Sequence, residues 1–226
     1  MTARKADNGI GKSGAVASYD GDGFVVLYDS NRCVHAAECV RCAPEVFDPF
    51  HRPWVKLEGA NALRLCSVVD RCPSGALRIV GPDGESLLPK PDANSIDIAQ
   101  DGPLEFRGNL SLQQMDGQEV FSDTRLTLCR CGRSNNKPFC DNAHGEAGFH
   151  DRGCLGRNAG SDEPSDAENL TIAPSPNGPL LVNGPCTIDG SDGSVHATKV
   201  ALCRCGHSNN KPYCDGSHSA AGFRSE

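Results

Sequence analysis

The chain has 226 residues, 38% of them hydrophobic but only 5% aromatic, with 25 glycines, 15 prolines and a formal charge of −7. Such a composition gives little bulky core material, suits one large domain or two to three small ones, and argues against nucleic acid as a general partner. Thirteen cysteines would fit a secreted disulfide scaffold, yet the opening MTARKADNGIGKSGAV has no apolar stretch of signal-peptide type. No run approaches the roughly 18 apolar residues that span a bilayer. The expectation is a cytoplasmic protein, kept reduced, whose cysteines mostly bind metal.

In chain order, residues 1–18 read as a disordered tail and residues 19–81 as a small domain. Within it, residues 24–28 (FVVLY) have strand composition. A short helix is expected between positions 36 and 43, and the FHRPWVKL segment reads as a hairpin or loop whose Trp54 lids a small core. Leu63, Leu65, Cys66, Val68 and Val69 give residues 60–71 the spacing of an amphipathic helix. The run CPSGAL at 72–77 then leads into a strand through Val80. Residues 82–95 have linker composition, rich in Pro, Gly, Asp and Ser.

A repeat follows, residues 96–150 and 169–226, joined by an acidic, Gly-rich linker at 151–168. Gly102-Pro103-Leu104 aligns with Gly178-Pro179-Leu180, and Cys129 with Cys203. The stretches before each cysteine motif alternate as strands do. Residues 92–123 hold seven acids against Arg107, whereas residues 129–150 have Arg130, Arg133 and Lys137 against Asp141 and Glu146. Taken singly, the latter cations read as solvated loop charges.

The densest chemistry lies in CRCGRSNNKPFCDNAH (129–144) and CRCGHSNNKPYCDGSH (203–218), each with the spacing C-x-C-x8-C-x3-H. Thiolates with an imidazole form a soft donor set, suited to zinc or to iron–sulfur clusters. An extended C-x-C sends both sulfurs to one face. SNNKP is turn chemistry. The third cysteine and the histidine four residues later share one helical face. Each loop therefore offers a Cys/Cys pair and a Cys/His pair, which fits two metals better than one. Structural zinc sites usually space their first two ligands more widely.

These strings resemble the CDGSH iron–sulfur (mitoNEET-like) family, with pattern C-x-C-x2-S-x3-P-x-C-D-G-S-H. The second copy matches at Cys203, Cys205, Ser208, Pro212, Cys214, Asp215, Gly216, Ser217 and His218. The first departs at Asn142, where the family has Gly, and Asn is among the residues best able to adopt a positive φ. The resemblance implies two 2Fe–2S clusters. Cys129/Cys131 and Cys203/Cys205 would hold the inner irons, Cys140/His144 and Cys214/His218 the outer ones. It also implies a β cap, here completed inside one chain by a pseudo-two-fold pairing of the halves, hence a monomer. One imidazole in place of a thiolate removes negative charge, raises the potential and makes the outer ligand sensitive to acid.

The N-terminal domain resembles a single-cluster ferredoxin, more closely the divergent mono-cluster domain found beside CDGSH modules. Cys33, Cys39, the APEVFD at 43–48, the RPW at 52–54 and Cys72-Pro73 carry the likeness. The ferredoxin run is C-x2-C-x2-C, and its middle position here is Ala36. Cys33, Cys39 and Cys72 would serve a 3Fe–4S cluster; a 4Fe–4S cluster needs Cys42, His35 or an exogenous ligand besides. Cys42, Cys66, Cys154 and Cys186 read more simply as small apolar side chains.

The expected fold class is therefore α+β, a small ferredoxin-like domain followed by a tandem, mostly β CDGSH module with short helices. No nucleophile–base arrangement, P-loop or dinucleotide fingerprint is present in the sequence. An electron-transfer protein acting with redox partner proteins is the first expectation. Cluster transfer to apo-acceptor proteins, or redox and pH sensing, is the second, and a zinc-bound interaction protein the third. An enzyme is expected only in the sense of a redox subunit, and neither nucleic acid nor membrane is expected as a partner.

Overall fold

The computed structural model describes residues 4–5, 15–156 and 169–225. They divide into two compact units, with the boundary between Pro89 and Lys90.

The first unit is an antiparallel sheet in chain order: β1 (Arg4–Lys5), β2 (Ala15–Asp20), β3 (Val25–Asp29) and β4 (Leu77–Val80). Between β3 and β4 come α1 (Glu38–Cys42) and α2 (Ala62–Asp70). Asn61 starts α2 by accepting the Arg64 N–H on its side chain (3.1 Å). The helix turns Leu65, Val68 and Val69 inward, where they meet Phe24, Val26, Phe47, Leu77 and Ile79. Burying each such side chain is worth roughly 1.5–3 kcal/mol. Phe47 and Val55 bridge to close the loop that carries Trp54. Much of the expected 1–18 tail lies outside the described residues. Residues 15–18, however, belong to β2, because Val16 to Asp20 pair with Asp29 to Val25 on β3.

The second unit contains β5 (Ser95–Ile98), β6 (Leu104–Gln113), β7 (Glu119–Leu128), α3 (Ala143–Glu146), β8 (Leu170–Pro174), β9 (Leu180–Gly190), β10 (Gly193–Leu202) and α4 (Ser217–Ala220). Strands β6–β7 and β9–β10 are long hairpins. The short strands exchange: β5 runs antiparallel to β6 but parallel to β9 of the other repeat, and β8 runs antiparallel to β9 but parallel to β6. Inward positions of all these strands, among them Ile96, Phe106, Leu112, Leu126, Ile172, Val182 and Ile188, form one buried cluster.

The expected linkers shrink at their edges. Asn94 is buried, donating to the Pro185 carbonyl (2.9 Å) and accepting the Asn109 N–H (2.9 Å), so it locks the two repeats together just before β5. At the other linker, Gly153 is buried, and Leu155 packs against the core. Residues 157–168 of that linker lie outside the described residues. The fold is α+β in class and mostly β. No helix among the described residues is long and apolar enough to cross a membrane.

Candidate metal centres

Each sixteen-residue loop is built by its own hydrogen bonds. As β7 ends, Cys129 N–H donates to the Pro138 carbonyl (2.8 Å) and Cys140 N–H to the Thr127 carbonyl (3.0 Å), folding the loop back on the strand. Ser134 Oγ donates to the Phe139 carbonyl (2.7 Å) and accepts the Asn136 N–H (3.0 Å). Asp141 accepts from Asn135 N–H (2.8 Å) and Ala143 N–H (3.1 Å), joining the turn to α3. The second loop repeats this pattern with Cys203, Cys214, Ser208 and Asp215. The Ser217 hydroxyl, then the Asn209 and Ser217 amides, hold the Asp215 carboxyl far below the usual carboxylate range. Asn142 has φ 68°, beside 88° for Gly216. The one departure from the motif therefore keeps the left-handed backbone.

The donors come in pairs. Cys129 and Cys131 sulfurs stand 3.6 Å apart, as do those of Cys203 and Cys205. Cys140 Sγ lies 3.5 Å from His144 Nδ1, and Cys214 Sγ 3.4 Å from His218 Nδ1. With sulfur–metal bonds of about 2.3 Å, two ligands of one tetrahedral metal stand about 3.8 Å apart. Each pair thus fits one metal. Among the described residues no three His, Cys, Asp or Glu side chains gather as a lone ion requires. The C-x-C sulfurs are buried, whereas both histidines are half-buried at the rim. Backbone N–H groups of Arg133, Asn142 and His207 point at Cys131, Cys140 and Cys205 Sγ, each at 3.4 Å. Burial pushes the Cys140 thiol up to about 12 and the Cys205 thiol up to about 11. Thiolates here need a cation to offset desolvation, and a bound metal provides it.

The two loops touch back to back. Cys131 and Cys205 form an antiparallel bridge. Gly132 (φ 78°) and Gly206 (φ 83°) fit there because a Cβ on either would sit 2.5 or 2.6 Å from the carbonyl oxygen of the opposite cysteine.

The arginine inside each C-x-C is buried, and for Arg130 this corrects the reading as a solvated loop charge. Arg130 Nε donates to the Gly102 carbonyl (2.8 Å), and its guanidinium pairs with Asp151 and stacks 5.1 Å from the Phe149 ring centre. Arg204 Nε donates to the Gly178 carbonyl (2.7 Å) and stacks 5.4 Å from Phe223. Burial pulls the Arg204 guanidinium down to about 10, against the nearby Cys129 and Cys205, which favour its charge.

In the first unit, Cys33, Cys39 and Cys72 line one cavity of about 610 Å³ together with Tyr28, His35 and Trp54. His35 (φ 50°) and Ala37 (φ 61°) take the left-handed turns that wind the chain from Cys33 to Cys39. Cys72 follows α2 directly and lies 3.7 Å from Ser74 Oγ. Burial, with smaller contributions from Cys72 and Cys33, pushes the Cys39 thiol up to about 11. Trp54 stands edge-on to Tyr28, 4.7 Å between ring centres; it packs against the core that it was expected to lid and also lines the cavity. His35 Nδ1 is 3.9 Å from Cys33 Sγ.

A family model described as "Iron-binding zinc finger CDGSH type" matches residues 101–145 and 177–219, and one described as "Divergent 4Fe-4S mono-cluster" matches residues 19–82. The chain belongs to the CDGSH iron-binding family. It is an iron–sulfur protein with a divergent 4Fe–4S mono-cluster domain ahead of two CDGSH copies. The uncharacterized protein YjdI of Escherichia coli K12 is 31% identical over 65 residues, which cover 29% of this chain and 86% of the relative. YjdI of Escherichia coli O157:H7 matches to the same extent. No solved structure matches the chain.

The structure brings together the donor pairs of each CDGSH loop and sets the three cysteines of the mono-cluster domain around one cavity. It sets Cys42 apart: its sulfur faces Glu38 Oε2 at 3.8 Å and is not in the cavity lining. Cys66 contacts the Leu87 carbonyl (3.8 Å), Cys154 the Ser191 hydroxyl (3.3 Å), and buried Cys186 the Ala197 carbonyl (3.5 Å). All thirteen cysteines are free of disulfides. Sequence reasoning missed Asp151, whose position seven residues after His144 was the available signal.

Proposed function

We propose that this protein is an electron carrier. Each CDGSH loop would hold one 2Fe–2S cluster through three cysteines and one histidine, Cys129, Cys131, Cys140 and His144 or Cys203, Cys205, Cys214 and His218. The ferredoxin-like N-terminal cavity would hold one 3Fe–4S or 4Fe–4S cluster through Cys33, Cys39 and Cys72. The observation that carries the reading is the donor pairing, with sulfurs 3.6 Å apart on one side and sulfur to imidazole nitrogen 3.5 Å apart on the other. Bound clusters of these types supply one-electron oxidation and reduction. The chain's own part is to bury the C-x-C thiolates, direct backbone N–H groups at the sulfurs and leave the histidine edge near the surface, where an electron can pass to a redox partner protein.

Matched strand registers support an internal pseudo-two-fold. Ile96 pairs with Ile188 across the halves, and Ile172 pairs with Leu112. The cap is then complete within one chain and the protein a monomer, for which a cytoplasmic, reducing location is the fitting one. For the N-terminal centre, His35 in the cavity wall is a better fourth ligand than Cys42.

Anaerobic purification with iron and sulfide analysis and EPR tests the reading; two irons and two sulfides for each loop are expected from the family's cluster. A colourless zinc protein would refute it. The second reading, transfer of a cluster to an apo-acceptor, draws on the half-buried Cys214 and His218. Incubation with an apo-ferredoxin separates the two: a cluster appearing in the acceptor favours transfer, electron exchange alone favours the carrier.

A further inference from the structure

The two repeats differ beneath their matching loops. The N–H of Cys140 donates to the Thr127 carbonyl, and Thr127 pairs across the sheet with Glu105. Glu105 pairs in turn with Asp97, and Asp97 with Asp189. Three carboxylates thus run in a row across β6, β5 and β9, starting beside the strand end that holds the third cysteine of the first loop. In the second repeat the N–H of Cys214 donates to the Ala201 carbonyl, Ala201 pairs with Leu181, and Leu181 with Ala173. Leu181 and Ala173 occupy the places of Glu105 and Asp97. The buried arginines differ in the same sense. Arg130 is paired with Asp151, while the corresponding position after the second loop is Ser225, and among the described residues no carboxylate pairs with Arg204.

We propose that the two CDGSH centres are inequivalent by construction, with Glu105, Asp97 and Asp151 making the first loop the low-potential member and the second loop the place where an added electron rests. The proposal builds on the cluster assignment above. Reduction adds one negative charge to a centre that is already anionic. Nearby carboxylates oppose it and an unmatched guanidinium favours it. Glu105 is half-buried, so solvent screens its field less than that of a surface charge. The field of Glu105 already reaches Cys140, where it adds to the effect of burial in raising the thiol. Arg204 reaches Cys129 as well as Cys205, so its charge bears on both loops, and the carboxylates decide the sign of the difference. With the two loops in contact at Cys131 and Cys205, the electron can settle on whichever loop favours it.

The test is a dithionite titration of the full holoprotein at pH 8, well above the ordinary carboxylate range, followed by EPR of the 2Fe–2S signals. The wild type is expected to show two one-electron waves separated by at least tenfold in preference, about 59 mV. Glu105→Gln, which keeps the shape and removes the charge, is expected to raise the lower wave and leave the upper one in place. Asp151→Asn should do the same independently, and Leu181→Glu should lower the upper wave. Superimposed waves in the wild type, or a lower wave unmoved by both Glu105→Gln and Asp151→Asn, would overturn the proposal while leaving the clusters in place. Absence of two irons and two sulfides per loop would instead remove the cluster assignment itself, and the proposal with it.

Discussion

The two units gather their metal donors in opposite ways. In the N-terminal unit the cysteines come from separate places, Cys33 and Cys39 around the start of α1 and Cys72 beyond α2. Their meeting depends on α2 burying Leu65, Val68 and Val69. In each CDGSH loop all four donors lie within sixteen residues, and hydrogen bonds of the turn itself set their spacing. A site assembled by tertiary packing should fail when the core is loosened. One assembled by a local turn should fail only when that turn is altered.

That contrast can be broken most sharply at a ligand. Cys203→Ala is expected to abolish the visible absorption of the second loop and half of the iron carried by the two loops, while the first loop and the N-terminal unit keep theirs, as iron analysis and EPR would record. If both loops empty together, the loops are not independent. Next in size, Leu65→Ala should cost about 2–5 kcal/mol as a cavity in the first unit. The N-terminal centre should then be lost on mild heating before the CDGSH signals change, an order that absorbance melts at cluster wavelengths would reveal.

Gly132→Ala sharpens the comparison within the second unit. The left-handed backbone alone costs roughly 1–2 kcal/mol, and the contact with the Cys205 carbonyl adds to it. Both loops should therefore suffer from one substitution in the first, visible as a lowered denaturation midpoint for both signals.

A smaller effect is expected at Asp97, whose carboxyl is raised by burial and then by Asp189. The folded state holds that proton more tightly than the unfolded chain. Stability is therefore lost as pH rises from the ordinary carboxylate range through the raised value. Asp97→Asn should match the wild type at low pH and exceed it above that window, in thermal melts across pH. Smallest of all, Asn142→Gly should stabilise the first loop by at most about 1 kcal/mol, since Gly takes φ 68° without strain.

Much of the candidate site could be read in the sequence because its logic is local. The C-x-C-x8-C-x3-H spacing, the turn at Ser134 and Ser208 and the positive φ of Asn142 are all decided within sixteen residues. The helix 62–70 was equally readable from its apolar spacing. What escaped was decided at a distance. Arg130 looks like a loop cation because its partners, Ala99, Gly102 and Asp151, lie 21 to 31 residues away. The strand Ala15–Asp20 could not be told from the tail before it, since what fixes it is its partner β3. Cys42, three residues after Cys39 and a candidate ligand by spacing, faces Glu38 instead. No feature of the one-dimensional pattern tells which way a five-residue helix will turn.

The exchange of β5 and β8 between repeats has a consequence for how the chain can be divided. A protein cut between Gly156 and Asn169 would yield two fragments, each keeping its own three strands but losing the short strand that the other half lays against its hairpin. Such halves should be soluble but unfinished apart and should complement one another on mixing, which would make iron colour a direct report of their reunion.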